Sequence, residues 1–167
     1  MTDAEFQAAF DQHKDAVYRF AWRMSGSAAA AEDVTQDVFV GLLRHPDRFD
    51  PARGTLRAFL LGIARNVELK RWRAEHRFES LDDETVGAAQ VDLERGEIGD
   101  MVGRAVRALQ PLQREVVILA EYEGLTLAEI GRAVDADVGA VKSRLHRARE
   151  NLRRTLAPLL HRQPTTT

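Results

Sequence analysis

The chain has 167 residues and a formal net charge of −2, enough for one ordinary domain or two small ones. Hydrophobic residues make up 44% and charged residues 30%, which supports packed cores and excludes global disorder. No apolar run approaches the roughly 18–20 residues of a membrane span, cysteine is absent, so disulfide and thiolate chemistry are excluded, and the acidic opening Thr2-Asp3-Ala4-Glu5 does not read as a secretory signal; a cytoplasmic protein without membrane insertion is expected.

Almost every periodic segment predicts helix. Phe6, Phe10, Val17, Phe20 or Ala21, and Met24 recur at three- and four-residue spacings and line one face. Ser25-Gly26-Ser27 interrupts this helix. Ala28 to Arg44 resumes it, with Val34, Val38 and Leu42 on one stripe and Phe39 and Leu43 beside it. His45-Pro46 ends it, since the residue before proline is pushed out of helical geometry. Arg48 to Thr55 is a loop broken by Pro51 and Gly54. Leu56 to His76 is then a helix whose buried face is Leu56, Phe59, Leu60, Ile63, Ala64 and Val67.

Phe78 to Gly96 loses periodicity and turns acidic, and reads as a linker holding a domain boundary. Ile98 to Leu109 is helical, with Ile98, Met101 or Val102, Ala105 and Leu109 inward. Pro111 suits the first turn of the next helix and Gly124 its C-terminal cap. Thr126 and Glu129 form a capping box for a short helix with Leu127, Ile130 and Val134 apolar. Asp135-Ala136-Asp137 breaks it. Asp137 can cap the last helix, in which Val138, Val141 and Leu145 point inward. Two short helices joined by a tight turn, the second basic, match the helix-turn-helix pattern. The tail from Gln163 is expected to fray.

Charge is segregated. Between Glu79 and Asp100 eight acids face one base, Arg95. Arg65, Lys70, Arg71, Arg73 and Arg77 precede that stretch. In the last helix Lys142, Arg144, Arg147, Arg149, Arg153 and Arg154 are balanced within Ala136 to Arg154 by Glu150 alone among helix acids. A partner feels such local fields rather than the total.

Three stretches can carry chemistry. With Val141 and Leu145 inward, Lys142, Ser143, Arg144, His146, Arg147 and Arg149 are left toward solvent or a partner. Guanidinium forks suit guanine edges, and Lys and Arg suit phosphates. Alone, the run reads equally as a solvated helix face; the capped helix and short turn before it favour DNA. In "ARNVELKRWR", Ala64 to Arg73, Asn66 offers a donor and an acceptor to a base edge, and Arg and Lys suit an opened strand. Alone, that stretch reads as a basic helix end favoured by the helix dipole. In "AEDVTQDVF", Asp33, Gln36 and Asp37 share one helical face, either a docking surface for a basic partner or solvated acids near a helix N-terminus.

"AEDVTQDVF", "TLRAFLLGIARNVELKRWR" and "LTLAEIGRAVDADVGAVKSRLHRAREN" follow one another with the order and spacing of bacterial extracytoplasmic-function (ECF) sigma factors of the sigma-70 family, which the chain resembles over nearly its whole length. The resemblance implies an all-α fold of two small helical domains: a σ2-like bundle over residues 1–77, an acidic flexible linker over 78–97, and a σ4-like helix-turn-helix domain over 98–162. It implies that Asp33, Gln36 and Asp37 dock on the β′ clamp helices of RNA polymerase core, with the β flap as a second polymerase contact. It implies that the loop at Phe49 to Thr55 and the helix at Asn66 handle the promoter −10 element, where a base is flipped into a pocket, with Arg65, Lys70, Arg71 and Arg73 on DNA backbone. Lys142, Ser143, Arg144, Arg147 and Arg149 would read the −35 element. An anti-sigma factor is the expected regulator.

The chain departs from the family where the turn often reads Gly-Val-Pro-Val-Gly-Thr; here it is Asp135-Ala136-Asp137-Val138-Gly139-Ala140. Asp tolerates left-handed backbone better than most residues but worse than Gly. Two other functions compete: a sigma-like decoy that binds an anti-sigma protein without reading promoters, and a dimeric helix-turn-helix repressor, which would leave the first half unexplained. An enzyme is the weakest reading. The five histidines lack metal-ligand spacing, Ser25-Gly26-Ser27 is no nucleophile elbow, and no phosphate-binding glycine loop appears. No cofactor, metal or small-molecule substrate is expected.

Overall fold

A computed structural model describes residues 1–79, 81 and 97–160, and among these residues there are seven α-helices. Most of the expected linker and the expected frayed tail therefore lie outside the described residues. Helix α1 spans Asp3–Ser25, α2 Ala28–Arg44, α3 Leu56–Glu75, α4 Ile98–Arg107, α5 Pro111–Val117, α6 Leu127–Ala133 and α7 Val138–Leu160.

Local chemistry sets the boundaries. The Thr2 hydroxyl accepts from the Glu5 amide at 3.1 Å while Glu5 accepts from the Thr2 amide at 2.7 Å, so α1 opens on a capping box. Gly26 closes it with φ +69°, and the Ser27 hydroxyl caps α2 by accepting from Ala30. The Pro46–Arg48 turn follows α2. Thr55 caps α3 through the Ala58 amide at 3.1 Å. Pro111 stands in the first turn of α5, where its missing N–H costs nothing. The α5 segment does not stop at Val117. It runs on through a wide turn, Ile118–Tyr122, in which the Glu123 amide donates five residues back to Ile118 at 3.0 Å. Gly124, φ +67°, then ends it.

In the first half, α1, α2 and α3 pack around Val17, Phe20, Val34, Val38, Leu42 and Leu60, with Phe39 held edge-on by Phe6 and Phe10. In the second, α4–α7 pack around Val116, Ile118, Leu119, Ile130, Val141 and Leu145. The two halves also touch each other, α3 lying along α6 and α1 along α4, so their buried side chains form one continuous cluster.

Packing on both sides explains where periodicity misleads. Leu61 and Leu69 of α3 are buried along with Leu60 and Ala64, while Phe59, Ile63 and Val67 are only half-buried. A helix contacted from two directions has no single apolar stripe. Gly62 marks the close approach: a Cβ there would lie 3.3 Å from the Ala133 Cα of α6. Three residues expected inside are outside. Ile98, 72% exposed, opens α4 a turn before packing begins at Met101. Val138, 39% exposed, sits in the first turn of α7, whose burial starts at Val141. Leu43, 57% exposed, stands off the α2 stripe.

Candidate polymerase and nucleic-acid interface

Asp33, Gln36 and Asp37 are all exposed on α2, one turn apart, because Val34, Val38 and Phe39 are drawn into the core. Val40 and Leu43 extend the same face as exposed apolar side chains. The Asp33 carboxylate also accepts from Arg71 of α3 at 3.2 Å.

Phe49 is half-buried, its ring 5.4 Å from that of Phe59. Both rings and Asn66 line a cleft of about 470 Å³ whose opposite wall is Glu129, Arg132 and Asp135 from the second half. Asn66 is exposed, and its carbonyl accepts from Arg65. Lys70 and Arg73 are exposed. Trp72 is half-buried and stacked on His76, with ring centres 4.4 Å apart.

Arg65 turns to the second half instead of solvent. Its guanidinium donates twice to Glu115 of α5, at 2.8 and 3.1 Å. Burial pushes the Glu115 carboxyl up, and Arg65, then Arg144 and Arg73, pull it back. A second carboxylate, Glu123, has no exposed side-chain surface and gathers Arg57 at 2.6 Å, Arg19 at 3.3 Å and Arg23 at 3.8 Å. Arg114 of α5 reaches back to the Met24 carbonyl at 2.6 Å. Sequence reasoning did not find this set. The available signal was the apolar run Val116 to Ala120 with Glu115 before it and Glu121 and Glu123 after it, where a carboxylate is costly without a partner.

The helix-turn-helix is built as expected. Thr126 accepts from Glu129 at 3.2 Å and Glu129 from Thr126 at 3.0 Å, and these bonds hold the Glu129 carboxyl below its ordinary range. Asp135 takes the left-handed conformation, φ +53°. Asp137 caps α7 by accepting from the Ala140 amide at 2.7 Å. Gly131 is required at the turn, since a Cβ would meet the Ala136 carbonyl at 2.7 Å. On α7, Lys142, Ser143 and His146 are exposed, Arg144 and Arg147 are half-buried, and Arg149 pairs with Glu121 at 2.6 Å. The structure thus separates the acidic α2 face, the Phe49–Asn66 cleft and the outer side of α7.

Among the described residues no helix is long and apolar enough to cross a membrane, and no group of acids and histidines could hold a metal ion.

Comparison with known proteins agrees with this layout. Residues 9–78 match sigma-70 region 2 and residues 99–152 match sigma-70 region 4. The chain is 36% identical over 154 residues to the ECF RNA polymerase sigma factor SigE of Mycolicibacterium smegmatis, covering 87% of this chain and 59% of that protein. It is 31% identical over 172 residues to SigW of Bacillus subtilis, covering 92% and 90%, and 30% identical over 162 residues to SigK of Mycobacterium tuberculosis, covering 92% and 86%. Among solved structures, the sigma factor RpoE in complex with the anti-sigma factor NepR from Bartonella quintana superposes with a TM-score of 0.72 at 25% identity, over 92% of this chain and 97% of that one. CnrH in complex with the cytosolic domain of CnrY gives 0.69 at 27% identity, over 94% and 90%. With both regions in order, and relatives matched over most of their length, this chain belongs to the ECF sigma factors of the sigma-70 family.

Proposed function

We propose that the protein is a cytoplasmic alternative sigma factor that brings RNA polymerase core to a bipartite promoter and has no catalysis of its own. The observation that carries this reading is the simultaneous exposure of the acidic α2 face and of Lys142 and Ser143 on α7, on two halves that match regions 2 and 4. Asp33, Gln36 and Asp37 meet the β′ clamp helices, with Val40 and Leu43 extending the contact. The apolar groove of α5 and α7, lined by Val117, Leu152 and Leu156, suits the β flap. Phe49, Asn66 and the basic residues Arg65, Lys70, Arg71 and Arg73 serve the −10 element; Lys142, Ser143, Arg144, Arg147 and Arg149 serve the −35 element. Unstacking a base costs a few kcal/mol, offset by contacts in the cleft. Two modest DNA contacts gain from being held on one polymerase. The two structural relatives are each bound to a named protein partner, one an anti-sigma factor, which supports regulation by such a protein here.

The test is transcription of genomic DNA by purified core polymerase with and without the protein, followed by sequencing of transcript 5′ ends. New start sites sharing two upstream elements are expected. Binding to core without any new transcript would replace promoter recognition with the decoy role.

A further inference from the structure

We propose that Asp137 is a specificity-determining residue of the −35 contact: its carboxylate accepts from the exocyclic amine of one base in the major groove and selects cytosine there. The inference rests on the promoter-recognition reading above and adds a residue to the set on α7 named in it.

Asp137 is exposed and stands immediately before α7, at the end of the helix that a helix-turn-helix presents to base edges. Its carboxylate lies on the outward face. A Cβ at Gly139 would come 3.2 Å from the Asp137 Oδ1, so the carboxylate takes the space that a side chain at 139 would use. Positions 139 and 143 share a helix face, which puts the carboxylate one turn ahead of exposed Ser143. Exposed His146 continues that face, while Val141, Leu145 and Ala148 hold the other side in the core.

The carboxylate is also fixed in place. Its Oδ1 accepts from the Ala140 amide at 2.7 Å. The Asp137 carbonyl accepts from the Val141 amide at 3.1 Å, and the preceding Ala136 amide is bonded to the Gly131 carbonyl at 2.9 Å. An acceptor anchored in this way loses little freedom when a donor meets it.

Charge decides what that donor is. A helix N-terminus ordinarily attracts phosphate through its free amides and the positive end of its dipole. Here Asp137 supplies the anion itself, and exposed Asp135 adds a second negative charge two residues back. Phosphate is therefore repelled from this end, and exposed Lys142, a turn further on, is left to meet the DNA backbone. In the major groove guanine presents two acceptors and thymine an acceptor and a methyl group, whereas cytosine and adenine present an amine. An ionised carboxylate can only accept. On adenine its lone pairs also face the N7 acceptor; on cytosine the amine has no acceptor of the same base beside it.

The experiment takes one promoter found by transcription of genomic DNA with core polymerase and the full chain, randomises its −35 element, and sequences the duplexes that the polymerase complex retains. Cytosine should be enriched about tenfold over guanine and thymine at one position. Asp137→Asn keeps the cap, since Asn caps helices as well as Asp, and offers a group that pairs with adenine N6 and N7. The preference at that position should move from cytosine to adenine, with the other positions unchanged. The same selected sequence for parent and Asp137→Asn overturns the proposal, including the case in which the variant binds every duplex more tightly. A responding position at which the parent selects any base other than cytosine overturns it too. Failure to find any start site in the first step removes promoter recognition, and this role with it; a selected −35 element that is indifferent to residue 137 removes the role of Asp137 alone.

Discussion

Arg71 of α3 lies 3.2 Å from the Asp33 carboxylate of α2, tying together the helix assigned to polymerase and the helix assigned to the −10 strand. Both side chains are substantially solvated, so the pair contributes no more than about 1 kcal/mol. Asp33 is therefore available to a polymerase cation at little cost to the fold.

Asp37, exposed one turn further along, gives the cleaner test. Asp37→Arg should weaken binding to core polymerase by tenfold or more while shifting the melting temperature by less than about 2 °C. A pull-down with graded core concentrations measures the first, and differential scanning fluorimetry the second. Unaltered core affinity would remove the α2 face from the polymerase contact.

Lys142 is exposed on α7 and available to phosphate. Lys142→Ala should lower affinity for a promoter duplex several-fold and reduce the slope of log K against log salt by about one. Anisotropy titrations at several salt concentrations read both numbers. A loss of affinity at unchanged slope would mean that Lys142 meets a base edge instead.

Gly131→Ala should destabilise the second half by about 2 kcal/mol or more, because the added Cβ would meet the Ala136 carbonyl oxygen at 2.7 Å. Neither partner can swing away, since the Ala136 amide is bonded to the Gly131 carbonyl at 2.9 Å. Chemical denaturation followed by far-ultraviolet circular dichroism checks it. Gly99→Ala, whose Cβ would meet nothing within 4 Å, is the control.

Glu68 sets a pH dependence. It is buried on α3, and burial raises its pKa from 4.5 to about 7 against the pull of Arg71 and Arg114. Its Oε1 is buried with no hydrogen-bond partner among the described residues. Burial also lowers the neighbouring Arg114 to about 10. A carboxyl whose pKa rises on folding binds its proton more tightly in the native state. Its favourable contribution is complete below pH 4.5 and fades as pH climbs through about 7. Glu68→Gln should flatten that decline, gaining up to about 3 kcal/mol at pH 8 relative to pH 4.5. Urea midpoints across that range test it; parallel curves for variant and parent would show that Glu68 is not the titrating group.

Helix positions, caps and the helix-turn-helix were legible in the sequence because each depends on neighbours in the chain. Thr126 and Glu129, Pro111, Gly124 and Asp137 act over four residues or fewer. Exposure of Asp33, Gln36 and Asp37 was legible for the same reason: Val34 and Val38 fix which way the helix turns. Two things were hidden. The α3 helix is buried from two directions, so Leu61 and Leu69 broke the one-face rule that Leu60 and Ala64 obey. Arg65, read as a surface cation, is held by Glu115 fifty positions later, a distance at which local pattern carries no information. Ile98, Val138 and Leu43 show the converse: apolar residues at element ends and edges have no obligation to be inside.

The wide turn at Ile118–Tyr122 has a consequence for how the two carboxylates cooperate. At 100° per residue, positions eight apart on a regular helix point roughly 80° away from each other. The turn absorbs one surplus residue, so Glu123 stands relative to Glu115 almost as if seven positions separated them, roughly 20° apart. The surplus residue works as a phase correction, aligning two charges that a regular helix would aim at different neighbours. Regularising the turn at unchanged length would swing Glu123 out of step with Arg57, whereas deleting one residue between Ile118 and Tyr122 would give a regular helix that keeps Glu123 roughly 20° from Glu115.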